Sequence, residues 1–152
     1  VSGIEEIRQK LVKFCLYRDR CHSEVEIKMK EFCIIPEVRD EIFLYLINEG
    51  YLSEERFTRS YIRGKFYMNH WGREKIKLNL KLKKIPEKLI DSCMSEVYEE
   101  DYIKQIHKFT EKLLPTFQEL NEFQKKNKLI RFLISKGYEY DIILKQIEYF
   151  FD

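Results

Sequence analysis

The sequence predicts an all-α protein: three tandem three-helix repeats forming an elongated, curved stack. Glycine and proline are scarce, at five and three in 152 residues, which leaves few tight turns for a sandwich or barrel. Long stretches rich in Lys, Glu, Ile and Leu lie between those breakers, and such stretches favour helix. Apolar residues within them recur three and four apart, as a helix packed on one side requires.

The same pattern occurs three times. Val25 and Met29, Ile76 and Leu80, and Leu129 and Leu133 are apolar pairs four apart, each followed four residues later by a helix-ending position. Steps of 13, 18 and 21 residues from the first member reach Val38, Phe43 and Leu46, then Leu89, Met94 and Val97, then Ile142, Ile147 and Phe150. All nine are apolar, and the copies are offset by 51 and 53 residues. The repeats are expected at 1–52, 53–99 and 100–152. Each has about 50 residues, too few for much stability alone, so neighbouring repeats should share packing surfaces.

Each repeat reads as a leading helix and two firmer ones. The leading helices are expected near 4–18, 53–68 and 101–114, the last closed by Pro115. Ser23-x-x-Glu26 offers a capping box for the second helix of repeat one. Pro36 and Pro86 suit the first turn of the third helices, and Gly50 and Gly137 suit helix stops.

The net charge is only +2, but its distribution is uneven. Residues 56–84 hold ten basic residues and one acid, Glu74, a segment charge of +9 inside a frame of −7. Arg56, Arg59 and Arg63 share one face of the leading helix, and Lys65 follows. Arg73, Lys77, Lys81 and Lys84 make a second stripe beside the buried pair Ile76 and Leu80. Phe57, Ile62 and Phe66 fall on the core side, Tyr61 and Tyr67 suit either environment, and Trp71 is expected to pack between helices. Two basic stripes can follow a phosphate backbone or an acidic protein surface, and no base-reading element accompanies them.

Catalytic and metal chemistry find little support. The sequence has no Gly-rich phosphate loop, HExxH or GxSxG motif. His22, His70 and His107 are scattered, and the grouping of Cys15, Cys21 and His22 fits no common zinc spacing, so His22 is assigned a helix-start role. Glu99-Glu100-Asp101 is expected as solvated charge at a repeat junction. Cys15, Cys21, Cys33 and Cys93 form no framework and are expected as thiols in a reducing cytoplasm. No apolar run is long enough for a membrane span, and no signal peptide is evident. The start, Val1-Ser2-Gly3, reads as either a tag remnant or a truncated natural start. The expected protein is a cytoplasmic non-enzyme without cofactor.

Glu55-Arg56-Phe57-Thr58-Arg59-Ser60-Tyr61-Ile62-Arg63-Gly64-Lys65-Phe66, then Trp71-Gly72-Arg73-Glu74-Lys75-Ile76, resembles the central signature of the RecX family. Arg18-Asp19-Arg20-Cys21-His22-Ser23-Glu24-Val25 is similar to its first-repeat motif. Gly50-Tyr51-Leu52 resembles the junction into repeat two, and Lys128 to Leu133 with Lys136-Gly137-Tyr138 resembles the ending of repeat three. One departure is Lys83-Lys84-Ile85, where the family has Lys-Gly; either a left-handed stop forms without glycine, at roughly 1 kcal/mol, or Pro86 forces a different ending. The resemblance implies a monomeric regulator that binds the RecA filament on single-stranded DNA and inhibits its ATPase, strand-exchange and co-protease activities. Such a regulator modulates recombination, repair and the SOS response, and also binds single- and double-stranded DNA itself. The contact set is expected at Arg56, Arg59, Arg63, Lys65, Arg73, Lys77, Lys81 and Lys84. The alternatives are a sequence-non-specific nucleic-acid-binding helical module without a recombinase partner, and a scaffold for an acidic protein.

Overall fold

The structure is a computed structural model that describes residues 2–151, with side chains from residue 3 onward. Val1, the first residue of the start considered above, and Asp152 lie outside the described residues. Among the described residues there are nine α-helices and no strand: α1 (Ser2–Tyr17), α2 (His22–Met29), α3 (Pro36–Asn48), α4 (Glu54–Tyr67), α5 (Arg73–Leu82), α6 (Glu87–Cys93), α7 (Glu99–Leu113), α8 (Glu122–Ser135) and α9 (Tyr140–Ile147). Short 3-10 turns extend several of them. No helix among the described residues is long and apolar enough to cross a membrane.

The period read from the apolar pattern is also a period of backbone geometry. The third helices begin at Pro36, Glu87 and Tyr140, keeping the offsets of 51 and 53 residues. Cys33, Lys84 and Gly137, separated by those offsets, all have left-handed backbone, with φ of +50°, +64° and +100°. At the last two sites the stop is a Schellman motif. Ile85 and Tyr138 N–H donate to the Leu80 and Leu133 carbonyls at 3.1 and 3.0 Å, and Lys84 and Gly137 N–H donate to Lys81 and Ile134 at 2.9 Å each. Lys84 therefore makes the left-handed turn without glycine. Gly50 makes a similar stop after α3.

Burial follows the pattern unevenly. All six second-helix positions, Val25, Met29, Ile76, Leu80, Leu129 and Leu133, are buried. Of the nine third-helix positions, Leu46, Val97 and Ile147 are buried, and the others are half-buried. The inward row there includes Ile42, Ile90 and Ile143 instead. α2 begins earlier than the Ser23-x-x-Glu26 spacing implied. Cys21 precedes the helix, and its N–H donates to the Glu24 carboxylate at 3.0 Å, while the Ser23 hydroxyl donates to the Lys83 carbonyl at 2.8 Å. Pro36 opens α3, whereas Pro86 stands one position before α6 and its carbonyl accepts from Leu89 and Ile90.

The chain packs as two compact units, one of Val1–Tyr61 with Leu80–Cys93, the other of Ile62–Asn79 with Met94–Asp152. The first has a core of Leu11, Val12 and Cys15 from α1, Val25 and Met29 from α2, Ile42 and Leu46 from α3, and Leu52. In the second, Ile62, Phe66 and Ile76 are buried together with Tyr102, Ile106, Leu129, Leu133, Tyr138 and Ile143. α8 is opened by a capping box, with Asn121 Oδ1 accepting from Gln124 N–H at 2.9 Å and Gln124 Oε1 accepting from Asn121 N–H at 3.1 Å.

The start of α5 lies directly on the stop of α8. Gly72 N–H donates to the Lys136 carbonyl at 2.7 Å, and Glu74 N–H donates to the Gly137 carbonyl at 2.9 Å. A Cβ on Gly72 would stand 2.2 Å from the Gly137 carbonyl carbon, so only glycine fits there.

Lys84 is exposed and carries the strain of a left-handed lysine. Lys84→Gly should stabilise the protein by about 0.5–1 kcal/mol, because relief of that strain exceeds the added chain entropy. A thermal melt should rise by about 1–4 °C; a fall would show that the lysine side chain makes a stabilising contact larger than the strain.

Candidate nucleic-acid interface

The basic segment is carried by α4, α5 and the turns that follow them. Its core-side residues are placed as the spacing implied, with Phe57, Ile62 and Phe66 buried. Tyr61 is half-buried, and Tyr67 is exposed with its hydroxyl donating to Asp101 at 2.7 Å. Trp71 is half-buried, and the ammonium groups of Lys65 and Lys75 lie over its ring, 4.8 and 4.5 Å from the centroid. The indole therefore both packs and presents a cationic neighbourhood.

The eight expected contact residues have different surroundings. Arg56, on α4 within the first unit, spreads its guanidinium over three acceptors: Asp19 at 2.8 Å, the Gly50 carbonyl at 3.1 Å and the Tyr51 carbonyl at 3.1 Å. The last two are carbonyls beside the left-handed stop of α3, so Arg56 closes that turn. Arg59 pairs with Glu55 one helical turn away at 3.1 Å. Arg63 is half exposed and pairs with Glu96 at 2.8 Å. Lys77 is half-buried. Lys81 is half exposed, with Glu87 at 3.7 Å, and Lys84 is exposed at the stop.

Arg73 is well enclosed, its side chain only 15% exposed. Its guanidinium bonds both Glu99 and Glu139, the latter at 3.2 Å, and lies 3.8 Å from the centroid of the Tyr102 ring. The Tyr102 hydroxyl donates to Glu139 and accepts from the Arg73 N–H at 2.9 Å. Burial, then the hydrogen bond to Glu139, raises the Tyr102 phenol far above its ordinary pKa, so it remains a donor at any physiological pH. Burial opposes charge on Arg73, but the bonds from Glu99 and Glu139 outweigh it and the guanidinium pKa is raised. Burial, then the Glu139 charge, raises the Tyr138 phenol as well. Its hydroxyl donates to the His70 carbonyl at 2.9 Å.

Glu99, Glu100 and Asp101, expected as loose junction charge, form the first turn of α7. There they suit the positive end of the helix and meet Arg73, Lys104 and Tyr67 respectively. Sequence reasoning missed Tyr102 and Glu139 as partners of Arg73, because separations of 29 and 66 residues obey no local spacing rule. His22 opens α2, and its N–H donates to Glu54 at 2.9 Å. Among the described residues, no group of three or more His, Cys, Asp or Glu is arranged to hold a metal ion.

The arrangement divides the cations by task. Arg56 and Arg73 hold turns and helix starts together. Arg63, Lys81 and Lys84 point outward, and the carboxylates beside the first two form surface pairs worth about 0–1 kcal/mol, which a phosphate can displace.

Comparison with known proteins agrees in sequence and in shape. Residues 53–94 match the family model described as RecX, second three-helix domain, and residues 99–147 match RecX, third three-helix domain. The chain is similar to the regulatory protein RecX of Lactococcus lactis, 34% identical over 131 residues that make up 83% of this chain and 48% of that one. It is also similar to those of Bacillus subtilis, 29% identical over 92% of this chain and 54% of that one, and Finegoldia magna, 27% identical over 97% and 72%. The chain thus spans about half the length of the Lactococcus and Bacillus relatives. The crystal structure of RecX from Lactobacillus salivarius superposes with a TM-score of 0.91 at 25% identity, covering 97% of this chain and 96% of that one.

Replacing Arg73 by Gln should leave Glu139 without its cationic partner and cost about 2–4 kcal/mol. The melting temperature should fall by roughly 5–10 °C, and a second change, Glu139→Gln, should restore part of it. A single variant that melts with the parent would show that Arg73 is not structural.

Proposed function

The chain belongs to the RecX family of regulatory proteins, and from that premise we propose that it binds the RecA filament on single-stranded DNA and lowers its ATPase, strand-exchange and co-protease activities. The observation that carries this reading is the basic segment on α4 and α5, which lies within residues 53–94 that match the family's second three-helix domain. A filament on single-stranded DNA offers phosphates and protein carboxylates, and both are met by Arg and Lys.

The contact set for this role is Arg59, Arg63, Lys65, Lys77, Lys81 and Lys84. Arg56 and Arg73 act behind it, by fixing the helices that carry these side chains. Each phosphate neutralised makes binding more salt-sensitive, with log affinity falling by about 0.7 per log unit of salt for a single strand. The family relation supports a regulator without catalytic chemistry of its own, working in the cytoplasm as a monomer.

The test is DNA-dependent ATP hydrolysis by RecA with single-stranded DNA in saturating amount. Added protein should lower the rate in a dose-dependent manner. Arg63→Glu combined with Lys81→Glu should raise the half-inhibitory concentration about tenfold near physiological salt, while the loss of two surface pairs lowers the melting temperature by only a few degrees. Inhibition that vanishes whenever DNA is in excess would replace this reading with a plain nucleic-acid-binding module that competes for free DNA.

A further inference from the structure

The first unit carries a second basic surface, ahead of both stretches that match the family models. Lys10, Lys13, Phe14 and Tyr17 stand three and four residues apart on one face of α1. Arg20 and Lys28 complete that face from α2 and the turn before it, and Phe32 from the turn after α2. Together they line an open groove of about 490 Å3. Four cations and one carboxylate, Glu31, face it, and Glu31 is engaged by Lys28 at 3.1 Å. The groove is thus cationic, although the chain outside residues 56–84 carries −7.

Its aromatic residues are not merely core that happens to lie nearby. Arg20 is 9% exposed, with its guanidinium carbon 3.7 Å from the centroid of the Phe14 ring and Nε donating to the Phe14 carbonyl at 2.8 Å. It is a fixed charge on the floor of the groove. Lys28 lies 5.6 Å from the same ring, and Lys10 lies 5.8 Å from Phe32. Tyr17 is 84% exposed and projects its ring into solvent at the end of the helix. Lys10 and Lys13 have no carboxylate within ion-pairing distance among the described residues. A face that served only solubility would need neither an exposed ring nor a buried guanidinium.

We propose that this α1–α2 groove binds single-stranded DNA, with a base stacked on Tyr17 and the backbone phosphates on Lys10, Lys13 and Lys28. From Lys10 to Tyr17 the helix advances about 10 Å, which spans about three stacked nucleotides of one strand. An exposed aromatic ring beside a cationic track suits unpaired bases, because every base has a face to stack. A duplex keeps those faces inside its own stack and offers only phosphates. The groove deepens the nucleic-acid part of the function proposed above and rests on that reading for its context, but it draws on none of the α4 and α5 residues.

The experiment is an anisotropy titration of the full chain with a fluorescent oligo(dT) and with a duplex of equal length, over a range of salt. Lys10→Glu with Lys13→Glu should weaken oligo(dT) binding at least tenfold at low salt and reduce the salt slope by about 1.4. Lys10→Gln with Lys13→Gln should do the same to a smaller degree. Tyr17→Ala should weaken oligo(dT) binding about fivefold or more with the slope unchanged, and leave duplex binding as it was. These side chains are exposed, and unchanged melting curves establish that the variants are folded. The proposal is overturned if the parent chain does not bind oligo(dT), if the variants bind as the parent does, or if Tyr17→Ala affects strand and duplex alike. It is also overturned if a poly-glutamate peptide displaces oligo(dT) more effectively than unlabelled oligo(dT) does, which would assign the groove to an acidic protein. No recombinase is present in this titration, so its failure leaves the ATPase test of the regulator untouched.

Discussion

The second unit depends on an approach of two backbones. Gly72, at the start of α5, lies so close to Gly137 that it has no room for a side chain, and a Cβ on Gly137 would in turn meet Lys75 of α5 at 2.4 Å. In return, two amides that a helix start would otherwise leave unsatisfied find carbonyls at the stop of α8. This contact places Arg73 where it can reach Glu99 and Glu139, and it sets Ile76 and Leu80 on the buried side of α5. The first unit has a related contact in the same register. Ser23, 51 residues before Glu74, donates through its hydroxyl to the carbonyl of Lys83, 53 residues before Lys136. What repeats along this chain is therefore a way of seating one helix start on the left-handed stop of a later helix, together with the apolar rows that surround it.

That constraint explains why the basic residues do not all behave alike. A guanidinium is planar and presents several donors, so it can satisfy carbonyls and carboxylates gathered at a turn. Arg56 and Arg73 are used in this way. Arg63, Lys81 and Lys84 keep their charge at the surface, where salt and competing phosphates act on it. The +9 of the central segment is thus partly internal bracing and partly interface.

Much of the fold was legible in the sequence. The apolar pairs at 25 and 29, 76 and 80, and 129 and 133 mark second helices, because full burial on one helix face leaves a strong period. The stop at Lys84 was legible from its place in the repeat, although its residue type argues against a left-handed turn. The third helices were read less well, because Val38, Leu89 and Ile142 are only half-buried and the inward row includes Ile42, Ile90 and Ile143. The capping residues of α2 were misplaced because Ser23, a good cap by type, bonds a distant carbonyl instead. The candidate site was legible as a charge excess, whereas the enclosure of Arg73 depends on Tyr102 and Glu139, far away in the chain. The α1–α2 groove is not evident from charge counts because its cations are diluted by the acids of the same segment, and only folding brings Arg20, Lys28 and Phe32 to the α1 face.

Native-state hydrogen exchange of the Gly72 and Glu74 amides tests the central contact most directly. Both lie at or within the first turn of α5, where amides ordinarily exchange quickly for want of an intrahelical partner. If the start of α5 is seated on the stop of α8, both should exchange as slowly as the amides of Ile76 and Leu80, through the same cooperative opening. Fast exchange at Gly72 and Glu74 with slow exchange at Ile76 and Leu80 would contradict it, and would show that α5 is held by its apolar face alone.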